Sequence, residues 1–249
     1  MNSVLKEKIK KKKILQGIWS VIPNNVVTEI FSLSGLDFVI LDMEHGNFSK
    51  EDIKNSIITC NLHKCFPLVR VPIFDLSNIQ SALDSGCAGI VFPKISSKQD
   101  ALKAVSLCEF SPKGNRGFNP FTRFNNYNLF EKDFYKNNKS LLKIVIIETK
   151  EGIDNLKEIL SVDEIDVIYL GTYDLSKEYN FEDINNKSFL KIIESSLAKI
   201  NSSGKISGLM IKDKNYLRLA KKFKTKFLVI SVDTEIIGNA AKNIIKIYK

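Results

Sequence analysis

Eight times along this chain a short apolar, β-branched run gives way to a stretch with helical spacing. Strands are expected at Ile14–Trp19, Asp37–Leu41, Pro67–Val71, Gly89–Phe92, Leu141–Ile147, Asp166–Leu170, Lys205–Ile211 and Phe227–Val232. Runs such as Phe38-Val39-Ile40-Leu41 are apolar without a break, the mark of a strand buried on both faces. Buried strands joined through helices make a parallel sheet with crossover connections. Eight such units in 249 residues is the size of a (β/α)8 barrel. The expected fold class is therefore α/β, a single (β/α)8 (TIM) barrel over residues 1–249. A doubly wound open sheet is the rival; it usually has fewer strands, and no GxGxxG turn follows the first strand here. No linker, long repeat or low-complexity segment divides the chain.

Helix signals fill the intervals. Asn24–Ser34 has helical apolar spacing and stops near Gly35. Ser49 is placed to cap a helix to about Leu62, with Asp52 three residues on as an approximate capping box. Further helices are expected at Asp75–Ser85, Ser97–Glu109, Glu151–Leu160, Lys187–Ser203 and Asp213–Lys222, and from Glu235 to the end. The lysine-rich stretch within residues 1–13 reads as a basic extension, a solvated helix or turn. Ser111–Asn128 is a long glycine-, proline- and aromatic-containing loop, and long loops in compact domains are often functional.

No run of 18 apolar residues is present, which excludes a membrane-spanning helix, and the first residues lack a signal-peptide pattern. A cytoplasmic protein with reduced, buried thiols at Cys60, Cys65, Cys87 and Cys108 is expected, because no CxxC pair or zinc spacing occurs. The net charge of +9 comes from lysine; no motif or basic stripe with interleaved aromatics accompanies it, so no nucleic-acid partner is expected. Only four of the 37 basic residues are arginine: Arg70, Arg116, Arg123 and Arg218. Arginine is preferred where a planar fork must grip a carboxylate or phosphate.

In such a barrel chemistry sits where strands run into the following helices. Those ends carry Asp42, Glu44 and His45 after the second strand, Arg70 at the third, Glu148 after the fifth and Asp174 after the sixth. Glu148 and Asp174 follow apolar runs on adjacent strands, where two carboxylates repel unless a cation or proton lies between them. A divalent cation held through oxygen is one solution; capping of the following helices is the other. His45, in a loop, is a candidate general base. His63 ends a helix and reads as a surface or C-terminal cap residue. Arg70 lies in a buried strand and needs a partner, either Asp42 or an anionic substrate. Asp84 either orients His45 from the neighbouring βα unit or is a helix-surface carboxylate. Arg116 is expected to brace the long loop and Arg123 to be freer to face the site. Gly171, Thr172 and Tyr173 offer backbone N–H groups to a substrate carboxylate. Trp19 is expected in the core or at the rim.

The series Asp42-x-Glu44-His45-Gly46, Arg70-x-Pro72, Arg116-Gly117, Glu148-x-x-Glu151-Gly152 and Gly171-x-x-Asp174-Leu175-Ser176 resembles the HpcH/HpaI aldolase family, over about residues 14–235. The resemblance implies a class II pyruvate aldolase: a (β/α)8 barrel that cleaves a 2-oxo-4-hydroxy (2-keto-3-deoxy) acid to pyruvate and an aldehyde. It implies a divalent metal (Mg2+, Mn2+ or Co2+) on Glu148 and Asp174, His45 as base with Asp84 near it, and Arg70 on the pyruvoyl part. Asp42 and Glu44 would support these groups, and Arg123 would contact the aldehyde portion. It further implies a homo-oligomer, commonly a hexamer built from dimers that exchange the last helix. Two positions depart from the usual pattern: Ile146 stands where a glutamine is common, and Thr172 where a proline is common. Action on a phosphoenolpyruvate-like, C–P or ester substrate, or a non-catalytic binding role, are the alternatives.

Overall fold

The computed structural model of the protein describes residues 2–10, 14–130 and 138–248. Eight parallel strands close into a barrel in sequence order: β1 (Leu15–Ser20), β2 (Phe38–Asp42), β3 (Phe66–Arg70), β4 (Gly89–Phe92), β5 (Leu142–Ile147), β6 (Val167–Leu170), β7 (Ile206–Met210) and β8 (Phe227–Val232). β8 returns to pair with β1. The helices are α1 (Asn2–Lys10), α2 (Asn25–Leu33), α3 (Lys50–Leu62), α4 (Leu76–Asp84), α5 (Lys98–Cys108), α6 (Lys150–Asp154), α7 (Leu156–Leu160), α8 (Thr172–Glu178), α9 (Lys187–Ser202), α10 (Lys214–Lys222) and α11 (Asp233–Ile247). The expected strands all form, with ends shifted by a residue or so.

Both strand faces are buried, but against different partners. Phe38 and Ile40 of β2, Phe66 and Leu68 of β3, and Leu142, Ile144 and Ile146 of β5 fill the barrel interior. Val39, Leu41, Val69, Val145 and Ile147 pack outward against the helices. This period-2 alternation inside an all-apolar run fixes which way each following side chain points.

Short polar side chains set the helix starts. Ser49 and Asp52 form a full capping box on α3, and Asn24, Asp75, Ser97 and Asp213 accept backbone N–H groups at the starts of α2, α4, α5 and α10. His63 is the C-terminal cap of α3 and pairs with Glu29 at 3.1 Å. Cys60, Cys65, Cys87 and Cys108 are buried free thiols.

Three local expectations need correction. The basic N-terminal stretch is not merely a solvated extension: Leu5 and Ile9 of α1 are fully buried and join the interior cluster with Leu15, Phe38 and Phe227. Its lysines stay at the edge, where Lys6 pairs with Asp166 at 3.0 Å. Residues 1 and 11–13 of that stretch lie outside the described residues. The helix expected at Glu151–Leu160 is broken at Asn155, whose side-chain amide donates to the Ser96 carbonyl at 2.9 Å. Thr172–Glu178, where no helix was expected, is a short helix with Gly171 before it.

α11 leaves the barrel. Only its first residue, Asp233, is buried. Ile236, Ile237, Ile244, Ile245 and Ile247 are all exposed.

Candidate active site

The alternation that fills the barrel also aims its polar residues. Asp42 continues the inward series Phe38, Ile40; Arg70 continues Phe66, Leu68; Glu148 continues Ile144, Ile146. Each is the first polar member of an inward row, so charge collects at the C-terminal mouth. There a cavity of about 320 Å³ is lined by Asp42, His45, Arg70, Glu148, Gly171, Thr172, Tyr173 and Asp174, together with Trp19, Ile146, Tyr169 and Lys212. That volume suits a small ligand.

Asp42 and Arg70 are register partners across β2 and β3. Arg70 grips the fully buried Asp42 carboxylate through two nitrogens, Nε donating to Oδ1 at 2.9 Å and Nη2 to Oδ2. A bidentate pair of this kind fixes the guanidinium plane. Nη1 lies 3.3 Å from Glu44 Oε2, and the guanidinium sits 4.5 Å from the Trp19 ring centre. Burial opposes the Arg70 charge, yet the Asp42 and Glu44 carboxylates hold its pKa above the usual range. Of the two partners left open by the sequence, the structure supplies the carboxylate.

The same Asp42 builds the loop after β2. Its Oδ1 accepts the backbone N–H groups of Glu44 at 2.9 Å and His45 at 3.2 Å. A Cβ on Gly46 would lie 2.4 Å from the Asp42 carbonyl oxygen, so the loop closes only with glycine there. The His45 side chain is consequently held at the rim, exposed, with Nε2 4.0 Å from Glu44 Oε2.

Glu148 is 5% exposed and accepts the Lys94 backbone N–H at 2.8 Å through Oε1. Burial raises its pKa to about 7; Asp174 and Glu44 add to this, while the Lys94 N–H and Arg70 oppose it. Gly171 makes room for it, since a Cβ there would stand 2.7 Å from Glu148 Oε2. Asp174, in the first turn of α8, is exposed to the cavity mouth.

Two carboxylates on adjacent strand ends, one desolvated and raised by the other, fit a hard divalent cation, with water and substrate as the remaining ligands. Among the described residues no group of three or more His, Cys, Asp or Glu side chains is arranged to hold a metal. A cation here would therefore have an open coordination sphere.

Asp84 and Arg123 are not brought to this cavity. The Asp84 carboxylate takes a hydrogen bond from Gln80 at 2.7 Å and pairs with Arg116 at 3.5 Å. Asp84 therefore does not orient His45 within one barrel: it closes the opposite, C-terminal end of α4, and that end is stitched to the long loop through Arg116. Arg116 is buried between the Phe110 and Phe124 rings, at 4.5 and 4.1 Å, and donates to Asn138 at 2.8 Å, the bracing role expected of it. Arg123 opens a short 3-10 turn beside Phe118 and Phe121, both exposed.

Trp19, expected in the core or at the rim, walls the cavity under Arg70 and donates its indole N–H to the Tyr169 hydroxyl at 3.4 Å. Sequence reading passed over two contributors. Asp233 accepts Ser20 Oγ and the N–H groups of Val21 and Ile22, each at 2.9 Å, tying the end of β1 to the start of α11. Lys212 lines the cavity two residues beyond the inward Met210. The inward alternation was the available signal for Lys212, and it went unused because the residue lies one past the apolar run.

Residues 15–234 match the model of the HpcH/HpaI aldolase/citrate lyase family. The chain is 27% identical to a 2-keto-3-deoxy-L-rhamnonate aldolase of Escherichia coli O6:K15:H31 (strain 536 / UPEC), over 100% of this chain and 96% of that one. Its fold superposes with a TM-score of 0.92 on an HpcH/HpaI aldolase/citrate lyase family protein from Burkholderia cenocepacia J2315, at 23% identity and 98% coverage of both chains. An HpcH/HpaI aldolase from Desulfitobacterium hafniense DCB-2 superposes with a TM-score of 0.90, at 22% identity, covering 98% of this chain and 96% of that one. The chain belongs to the HpcH/HpaI aldolase/citrate lyase family and is a carbon–carbon lyase.

Proposed function

We propose that this lyase cleaves a 2-oxo-4-hydroxy (2-keto-3-deoxy) acid reversibly to pyruvate and an aldehyde, with a divalent metal held by Glu148 and Asp174. The observation that carries the reading is the desolvated Glu148, raised to about 7 with Asp174 contributing, in one cavity with a guanidinium locked by Asp42. Full-length similarity to a 2-keto-3-deoxy-L-rhamnonate aldolase supports the substrate class.

A bound Mg2+, Mn2+ or Co2+ would supply Lewis acidity toward the 2-oxo acid. The chain's own residues do the rest. His45 takes the proton of the C4 hydroxyl. The C3–C4 electron pair passes to the pyruvoyl half as an enolate while C4–O becomes the aldehyde carbonyl. Arg70, already oriented, balances the enolate charge without moving. The N–H groups of Thr172 and Tyr173 stand at the start of α8, where the helix end favours a carboxylate, whereas that of Gly171, expected to join them, donates to the Ile147 carbonyl at 3.0 Å. Protonation at C3 completes pyruvate.

A coupled assay for pyruvate, using a panel of 2-keto-3-deoxy and 4-hydroxy-2-oxo acids, should show release that needs a divalent metal and stops with EDTA. Release of phosphate instead, or no release from metal-loaded protein, would sink the reading. His45→Ala should lower kcat by roughly 10²–10³-fold and leave metal content intact. An equal loss of metal would move His45 from base to ligand.

The protein is further proposed to be a homo-oligomer, a hexamer built as a trimer of dimers that exchange α11. The isoleucines of that helix are uncovered within one protomer, an apolar face of the kind that marks an interface. The loop carrying Phe118, Phe121 and Arg123, and α4 with Asp84, would then approach the His45 rim of a neighbouring copy. Light scattering should give a mass near six times 28.2 kDa. The double change Ile237→Asp and Ile244→Asp should yield smaller species; an unchanged mass would refute the exchange.

A further inference from the structure

Lys212 is the cavity residue that the reaction above does not use. Its Nζ is buried and makes neither a hydrogen bond nor an ion pair with any described residue. The ammonium lies 2.7 Å from the Tyr173 ring centre and 5.6 Å from that of Tyr216. Tyr216 is fully buried and fixed by its hydroxyl bond to the Ile184 carbonyl, whereas Tyr173 is more than half exposed. A buried ammonium without an acceptor is costly. Here the cost is carried by a position whose inward row opens onto the substrate cavity.

Charge balance says what the acceptor is. Among the described residues lining the cavity, Arg70 is committed to Asp42 and Glu44. Glu148 and Asp174 face the proposed cation. Asp174 and then Asp213, which caps α10, attract Lys212 most, yet neither forms an ion pair with it. With a dication over the two carboxylates, Lys212 has no protein anion left at the cavity, and the pyruvoyl carboxylate is already provided for. We propose that Lys212 is a specificity-determining residue whose ammonium receives an anionic group, carboxylate or phosphate, on the half of the substrate that departs as the aldehyde. The inference rests on the pyruvate-aldolase reading of the same site. Within the 2-oxo-4-hydroxy acids it selects those whose departing aldehyde carries an anion over those whose aldehyde is uncharged.

Binding separates the two claims. Protein loaded with Mn2+ is titrated calorimetrically with 2-oxoglutarate and with 2-oxopentanoate, which differ in the distal carboxylate. Wild type should prefer the diacid by about 10- to 100-fold, Lys212→Met should erase that ratio, and Lys212→Arg should keep part of it. The same ratio in wild type and Lys212→Met overturns the role of Lys212. Failure of the loaded protein to bind either acid overturns the pyruvate site and this inference with it. Pyruvate addition to glyoxylate, to glyceraldehyde 3-phosphate and to neutral glycolaldehyde then tells carboxylate from phosphate by which ratio of kcat/KM collapses in Lys212→Met. Borohydride trapping of pyruvate on Lys212, with turnover lost for every aldehyde, would make the amine a nucleophile and overturn the anion-receiving role.

Discussion

Glu148→Gln should cost at least about 10³-fold in pyruvate release and leave the protein without divalent metal after dialysis, while the barrel stays folded. Glutamine keeps the volume of Glu148 and its acceptor for the Lys94 N–H, but it offers no charge to a cation. Stability should even improve in the metal-free protein. The folded-state pKa of Glu148 is about 7 against an ordinary 4.5. Between those values the folded chain binds the proton more tightly than the unfolded chain, so folding stability falls as pH rises from about 4.5 to 7 and levels off above. The shift corresponds to roughly 3 kcal/mol at most. Chemical denaturation of metal-free wild type should show that downward slope, and Glu148→Gln should flatten it. Metal affinity should rise over the same pH window, because the cation displaces the proton. A variant that retains metal would remove Glu148 from the ligand set, and a wild type whose metal-free stability does not fall with pH would refute its raised pKa.

The same residue shows how far the sequence could be read. Unbroken apolar runs at regular spacing pointed to a parallel sheet buried on both faces, and eight units without a GxGxxG turn favoured the closed barrel over a doubly wound sheet. Period-2 alternation then carries Asp42, Arg70 and Glu148 inward, so their convergence was legible before any coordinates. Asp84 was not legible, because whether a carboxylate at a helix end serves a site or a loop depends on what packs there, here Gln80 and Arg116. Nor was the burial of Leu5 and Ile9, two apolar residues hidden among lysines in a stretch whose charge pointed to solvent. Lys212 was missed for a related reason: a lysine beyond a strand reads as surface unless its place in the inward row is counted.

Arg70 should be the second position of large effect, and its two obvious substitutions should separate. Arg70→Ala leaves the Asp42 carboxylate fully buried and Glu44 Oε2 without its cation. Breaking a buried pair from one side costs roughly 3–5 kcal/mol. Asp42 still receives the N–H groups of Glu44 and His45, so the lower end of that range is expected, read as a fall in denaturation midpoint. Activity should drop by about 10³-fold or more, because the enolate loses its counter-charge and Glu44, beside His45, loses its guanidinium partner. Arg70→Lys keeps a positive charge near Asp42 but cannot fork across both oxygens or hold a plane against Trp19. Stability should therefore recover most of the loss, while kcat stays about 10²-fold down and metal content is normal. If lysine restored activity along with stability, the guanidinium would be a brace for the Asp42 loop and nothing more. If it restored neither, charge alone would have no value there. Recovery of stability without turnover is the result that assigns Arg70 both tasks, holding the β2 loop through one edge and presenting a fixed cation to the substrate through the other.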